Sequence, residues 1–214
     1  MIGKLKLALT SAALLATFGA SQASTVYTFN TTAVGAFGSA PYGTVTLTQN
    51  GTGVDVTVAL RADLNFVNTG GPHDVFTFNL SGAVVGDISN IKFNNVANAN
   101  YTAVAGGANT PFGTFTFAID CTGAGCANGA PGQAVDPLTF SVANALEADF
   151  ANANAVGAFF GADAICVSGA CNGSTGAIAV TGRGVPGNNT PEPGTLALAG
   201  LAMLGVAASR RRKH

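Results

Sequence analysis

The chain has 214 residues, of which only 9% are charged and 29 are glycine, and it contains no tryptophan. Between residues 24 and 189 it carries nine acidic residues and three basic ones, so this part has a net charge near −6. Such a balance leaves no basic patch, which excludes nucleic acid as a partner. The length of this part suits one domain with a single hydrophobic core.

The first 23 residues have the three parts of a secretory signal peptide. Lys4 and Lys6 form the charged start, an apolar run extends from Leu7 to Ala20, and small residues lead to the cleavage position. The pattern predicts export through the Sec translocon and cleavage by signal peptidase between Ala23 and Ser24. A permanent N-terminal anchor is disfavoured because the apolar run is short and a small-residue site follows it directly.

Short segments of alternating apolar and polar residues recur along residues 24–189. In the clearest of them, Val45 and Leu47 fall on one face and threonines on the other, and a hairpin-turn sequence follows at 50–53. Eight or so short strands separated by Gly, Asn and Pro predict an all-β fold, a single β-sandwich. The segments predicted as strands are 26–29, 43–49, 54–60, 75–80, 88–96, 113–119, 138–142, 159–165 and 177–181.

One segment, from Asn144 to Asn152, departs from this alternation. Leu146 and Phe150 lie four residues apart, and Glu147 and Asp149 stand between them. This spacing predicts one short helix that buries its apolar residues and turns its acidic residues to solvent.

Four cysteines form two pairs with the same spacing, Cys121 with Cys126 and Cys166 with Cys171. In an exported protein this pattern predicts two local disulfides, 121–126 and 166–171. Cross pairings and a four-cysteine zinc site are the alternatives. Zinc-binding cysteines are usually closer together and export disfavours free thiolates, so we expect no metal site and no cofactor.

Few other side chains suggest a reaction. His73 stands beside Asp74, which is the pairing of a general base with a carboxylate that orients it. No serine or cysteine partner is indicated, so a structural loop histidine is favoured. Asp63 and Asp163 cannot be argued to form a glycosidase pair from sequence alone.

Two further patterns suggest binding surfaces but have simpler interpretations. The aspartates match no calcium-binding loop, and weak Ca²⁺ binding by clustered loop acids stays an alternative. Thr44, Thr46 and Thr48 are similar to the threonine rows of ice-binding surfaces. A single row is typical of the exposed face of an amphipathic strand, which is the favoured interpretation.

The last residues, 190–214, form a second three-part signal. Pro191, Glu192 and Pro193 make a stiff, extended peptide of the kind that a protease cleft accepts. A charge-free stretch predicted as a transmembrane helix over 194–209 follows, and it is shorter than the ~30 Å hydrocarbon core. The tail over 210–214 is expected to stay cytoplasmic by the positive-inside rule, because it contains Arg210, Arg211, Arg212 and Lys213.

This combination resembles the PEP-CTERM sorting signal of Gram-negative bacteria, a motif also associated with C-terminal domains of ice-binding proteins. The resemblance implies recognition by an exosortase, a precursor held transiently in the inner membrane, and delivery to the cell surface or extracellular matrix, with exopolysaccharide as a partner. Residues 42–50, 71–79 and 111–115 also resemble a recurrent PEP-CTERM passenger domain of unassigned function, a resemblance that covers most of residues 42–181.

Three functions are compatible with these features. The favoured one is a non-enzymatic surface or matrix protein of the exopolysaccharide-rich biofilm, as the resemblance implies. A carbohydrate-binding module would need aromatic side chains exposed on one sheet face, and the only tyrosines are Tyr27, Tyr42 and Tyr101. A secreted hydrolase would need a convergent nucleophile and base, which the sequence does not indicate.

Overall fold

The alternation seen in the sequence becomes a pair of antiparallel sheets in a computed structural model, which describes residues 24–122 and 134–187. Within these residues there are fourteen β-strands and no α-helix. The strands are β1 (Ser24–Phe29), β2 (Thr31–Thr32), β3 (Gly43–Asn50), β4 (Gly53–Leu60), β5 (Leu64–Phe66), β6 (Phe76–Phe78), β7 (Ile88–Phe93), β8 (Val96–Ala97), β9 (Tyr101–Ala108), β10 (Thr114–Cys121), β11 (Leu138–Val142), β12 (Phe160–Cys166), β13 (Thr175–Val180) and β14 (Val185–Pro186).

The first sheet, sheet A, has the strand order β14-β1-β3-β4-β11-β7-β8. β3 and β4 form the predicted hairpin, in which Asn50 pairs with Gly53 across the turn. Val45 and Leu47 of β3 are completely buried, whereas the threonines between them are partly exposed. The predicted two-faced strand is therefore confirmed.

The second sheet, sheet B, has the strand order β2-β13-β12-β6-β10-β9, and β5 also pairs with β12. All residues of β12 are buried, so both faces of this strand are covered. Its inner residues join the main hydrophobic core. A smaller buried cluster lies elsewhere in the fold and is formed by Phe112, Phe115, Ala158, Ala177 and Ala179.

The two sheets contribute to one buried hydrophobic cluster. The ring of Tyr27 in sheet A lies 4.9 Å from that of Phe160 in sheet B, and the rings of Phe140 and Phe78 are 5.3 Å apart. Every phenylalanine and tyrosine among the described residues is buried, and each such side chain contributes roughly 1.5–3 kcal/mol to folding. Two antiparallel sheets that share one aromatic-rich core agree with the predicted sandwich.

The predicted helix over 144–152 is wrong. Only Glu147–Phe150 is helical, as a single 3₁₀ turn. Phe150 is buried, but Leu146 is 58% exposed. The side chain of Glu147 is not turned to solvent, because it accepts hydrogen bonds from the Thr25 hydroxyl at 2.5 Å and from the backbone N–H of Gln49 at 3.0 Å.

Candidate functional site

The connection between β5 and β6, residues 67–75, is held at both ends by Asp163 of β12. The backbone oxygen of Asp163 accepts from the Val67 N–H at 3.1 Å, and its own N–H donates to the Val75 oxygen at 3.2 Å. Its side-chain Oδ2 accepts from the backbone N–H of Thr69 at 2.8 Å and from the Thr69 hydroxyl at 2.5 Å. These four hydrogen bonds fasten the connection to β12 at a residue that is completely buried.

A group of polar side chains, which includes His73, Asn109 and Asp163, lies at this connection. His73 and Asn109 form an isolated β-bridge, and the Asn109 amide donates to the Asp74 backbone oxygen and to the Thr77 hydroxyl, both at 3.0 Å. Three buried side-chain atoms in the described part of the chain have no hydrogen-bond partner, namely His73 Nδ1, Asn109 Oδ1 and Asp163 Oδ1. All three therefore belong to this one group, the polar cluster.

Burial has the largest effect on the pKa values of the aspartates in and beside the polar cluster. Burial raises the pKa of Asp163 above its ordinary value, although the hydrogen bonds from Thr69 and the proximity of His73 oppose this effect. Burial likewise raises the pKa of Asp74 and of Asp120. These carboxyl groups therefore give up their protons less readily than exposed ones do.

Among the described residues, no catalytic partner is bound to the Nδ1 of His73. Its Nδ1 makes no hydrogen bond within the described residues. The carboxylate of the neighbouring Asp74 instead accepts from the Ala108 N–H at 2.6 Å, and the Thr69 hydroxyl is bound to Asp163. The arrangement suits a structural loop histidine, as favoured from the sequence, while the lack of enzymatic activity stays a prediction.

Asp63 and Asp163 take part in separate interactions. Asp63 pairs with Arg61 through two hydrogen bonds, Nε to Oδ1 at 2.6 Å and an NH₂ group to Oδ2 at 2.9 Å. The hydrogen bond from Arg61 lowers the pKa of Asp63 below its ordinary value. Asp63 is therefore a partner of Arg61, whereas Asp163 binds Thr69.

The cysteines are structural in the described part of the chain. The predicted disulfide between Cys166 and Cys171 is confirmed, with a Cα–Cα distance of 5.6 Å. Cys121 is also disulfide-bonded, and Cys126, its predicted partner, lies outside the described residues. Among the described residues, Asp63 with Cys166 and Cys171 is the only group of three potential metal ligands, but both sulphurs are held in a disulfide and offer no thiolate.

The outer face of sheet A carries mostly hydroxyl side chains, in rows that follow the strand register. We call this surface the hydroxyl face, and it includes the threonines of β3. One row runs across five strands as Ser24, Thr48, Asp55, Ser141 and Ser89. The next row runs across the same strands as Val26, Thr46, Thr57, Thr139 and Lys92, and a third, shorter row contains Thr28, Thr44 and Ala59.

A β-bulge interrupts the hydroxyl face at β7, where Asn90 and Ile91 together oppose Phe140 of β11. Asn90 has a left-handed backbone with φ of 58°, a conformation that asparagine tolerates better than most residues. Two adjoining depressions of about 270 Å³ and 290 Å³ lie here, and Asp55 and Ser141 line both of them. Bulges commonly redirect side chains at binding sites.

Residues 189–213 match the PEP-CTERM protein-sorting motif. The chain carries a PEP-CTERM motif. This motif implies an exported protein with an exosortase as its processing partner and a membrane-anchored precursor. No curated protein and no solved structure is significantly similar to the chain. The PEP-CTERM motif therefore concerns the sorting of the protein, and the role of the β domain must be argued from its own residues.

The predicted residues of the two terminal signals lie almost entirely outside the described residues. This applies to the recognition element 191–193, the transmembrane segment 194–209, the basic tail 210–214 and the signal peptide 1–23. Ser24, the predicted first residue after signal-peptide cleavage, begins β1. In residues 24–122 and 134–187, no helix is long and apolar enough to cross a membrane.

The depressions on the hydroxyl face were not identified from the sequence. Asp55 and Ser141 occupy polar positions in segments predicted as strands, so their outward direction follows from alternation alone. Their proximity does not, because it depends on β4 pairing with β11, which lies about 80 residues further along the chain and so beyond any local pattern. The bulge at Asn90 is equally absent from the simple alternating pattern.

Proposed function

We propose that this protein is an exported, exosortase-processed component of the cell surface or extracellular matrix, associated with exopolysaccharide and without enzymatic activity. The observation that carries the proposal is the PEP-CTERM motif at residues 189–213. The motif assigns a route to the surface, and a protein that is delivered there in processed form acts outside the cell.

Features of the β domain support a structural or binding role at the surface. Disulfide-bonded cysteines such as Cys166 and Cys171 suit an oxidising environment outside the cytoplasm. His73, the histidine weighed as a base, has no hydroxyl or thiol nucleophile bound to its Nδ1 in the described part of the chain. The hydroxyl face, an open polar surface, is a candidate for contact with a matrix polymer.

The sorting step is tested by changing the recognition element. Replacing Glu192 and Pro193 together by alanine should leave a full-size, membrane-retained precursor, because the extended peptide that the protease cleft accepts is altered. Immunoblots of membrane and extracellular fractions measure the ratio of precursor to processed protein. A matched control replaces Arg183 and Pro186 by alanine, which removes one charge and one proline just before the motif.

The control variant should be processed like the wild type. Normal processing of the variant at Glu192 and Pro193 would contradict the proposal, because the motif would then not direct sorting. Equal loss of processing in the control would assign the effect to the region upstream of the motif.

A further inference from the structure

We propose that the two depressions beside the β7 bulge form a binding site for a neutral polysaccharide chain, recognised by hydrogen bonds without aromatic stacking. The site lies on the hydroxyl face and centres on Asp55, Asn90 and Ser141. The inference rests on the proposed function, since it names the polymer class that a surface or matrix protein would contact.

The two depressions adjoin at two shared lining residues, and we call them together the groove. They share Asp55 and Ser141, and the second is also lined by Asn90 and Lys92. With volumes of about 270 Å³ and 290 Å³, each is at the lower end of the range for small-ligand sites. Two adjoining sites of this size suit successive units of a polymer better than one compact ligand.

The polar groups in the groove are fixed before any ligand arrives. The carboxylate of Asp55 accepts hydrogen bonds from the Asn50 amide at 2.9 Å and from the Ser141 hydroxyl at 2.8 Å. A carboxylate accepts up to about four hydrogen bonds, so it keeps capacity for the hydroxyl groups of a sugar. Preorganisation of this kind reduces the entropic cost of binding.

The bulge adds the side chain of Asn90 to the polar lining of the groove. Because Asn90 and Ile91 together oppose one residue of β11, Asn90 departs from the regular alternation of the strand. Its amide nitrogen lies 3.5 Å from the Ser141 hydroxyl, at the outer limit of a hydrogen bond. An amide offers both donors and an acceptor, which matches hydroxyl groups that donate and accept.

Charge favours a neutral polymer over an acidic one. In the three rows of the hydroxyl face, Asp55 and Lys92 carry the only charges and cancel each other. The domain as a whole has a net charge near −6, so a polyuronate or another polyanion would be repelled at low ionic strength. Since every aromatic side chain among the described residues is buried, hydrogen bonding remains as the means of recognition.

The test measures binding of the full chain, purified in detergent, to an array of neutral glucans, galactans and mannans and of acidic polyuronates. We expect the wild type to bind neutral polymers. Asp55→Asn should weaken this binding by about tenfold, since hydrogen bonds to a charged group are among the stronger ones. Asn90→Gly keeps a residue that tolerates the left-handed backbone but removes the amide, and it should weaken binding by about threefold or more.

Thr44→Ala is the matched control, because Thr44 lies on the same face but lines neither depression. This variant should bind like the wild type. Absence of binding to any neutral polymer, binding only to polyuronates, or equal binding by all three variants would overturn the proposal. A change of oligomeric state in Asp55→Asn, measured by light scattering, without any effect on glycans would instead assign the surface to a second copy of the chain and overturn it as well.

Failure of this inference is distinguishable from failure of the proposed function. Asp55→Asn should be processed and exported like the wild type, because the substitution lies far along the chain from the sorting motif. Normal sorting without glycan binding would overturn the site alone. Glycan binding with unprocessed or unexported protein would overturn the sorting role alone.

Discussion

Replacing Asp163 by asparagine should stabilise the protein at neutral pH. Asp163 is completely buried, and its Oδ1 has no hydrogen-bond partner in the described part of the chain. An unsatisfied buried polar group costs about 1–3 kcal/mol, and the cost is greatest for the charged form. Asparagine keeps an oxygen that can accept from both donors of Thr69 and carries no charge, so the free energy of unfolding at pH 7 should rise, by about 1.4 kcal/mol for each unit by which burial raises the carboxyl pKa.

The effect should depend on pH with a definite sign. Burial raises the pKa of Asp163 in the folded protein, so the folded state holds this proton more tightly than the unfolded state. The contribution of the protonated carboxyl to stability is fully present below the unfolded pKa, about 3.9, and is lost as the pH rises through the folded pKa. The advantage of Asp163→Asn over the wild type should therefore be small near pH 4 and larger at pH 7.

Denaturant unfolding of both proteins between pH 4 and pH 8 measures this difference. Thr44→Ala is the control, since Thr44 is a partly exposed residue on the other sheet, and surface changes usually alter stability by less than about 0.5 kcal/mol. If Asp163→Asn is less stable than the wild type at pH 7, and by an amount that grows as the pH rises from 4, then the fold stabilises the ionised carboxylate and the reasoning is refuted.

Two further outcomes are expected. Replacing Cys166 and Cys171 together by serine should lower the free energy of unfolding by only ~2 kcal/mol, because the closed loop is short; a much larger loss under non-reducing denaturation would show that the disulfide does more than restrict the unfolded chain. His73→Asn should equal the wild type in screens against esters, glycosides and peptides, because no hydroxyl or thiol is bound to the His73 Nδ1 within the described residues. A wild-type activity that falls by ~10²-fold or more in this variant would identify His73 as a general base and contradict the non-enzymatic function.

The longer strands could be predicted because their information is local. In β4 (Gly53–Leu60), Val54, Val56 and Val58 are almost completely buried, whereas Asp55 is partly exposed and Thr57 is exposed. This alternation of buried and exposed positions is visible in the sequence as alternating apolar and polar residues. The predicted segment 54–60 therefore matches the observed strand to within one residue.

Strands that lack this alternation were missed. β9 (Tyr101–Ala108) is an eight-residue strand rich in alanine and glycine, residues that give little contrast between its two faces. β2 and β14 contain two residues each, and they count as strands only because β13 and β1 provide partners. Pairing over long distances along the chain creates these elements, so local patterns do not indicate them.

The incorrect helix shows how tertiary contacts override spacing. The four-residue separation of Leu146 and Phe150 fits a helix, but Asn144 has a left-handed backbone with φ of 53°, which a right-handed helix does not include. Contacts with sheet A hold Glu147 in place. Its carboxylate accepts a hydrogen bond from the Thr25 hydroxyl, and its backbone N–H donates to the Gln49 side chain at 3.2 Å. These partners lie about 100 residues earlier in the chain, beyond the reach of a helical pattern.

The polar cluster and the hydroxyl face are built from residues far apart in the chain, whereas the sorting signals are built from consecutive residues. A signal is read by a translocon, a membrane or a protease as a linear peptide, so its chemistry is visible in consecutive residues. Asp55 and Ser141 meet only because β4 pairs with β11, and Asp163 meets Thr69 only because residues 67–75 fold back onto β12. The destination of this protein is therefore encoded in consecutive residues, whereas any site with which its β domain binds a partner is assembled by the fold. Variants such as Asp55→Asn leave the signals intact, so they separate an effect on binding from an effect on sorting.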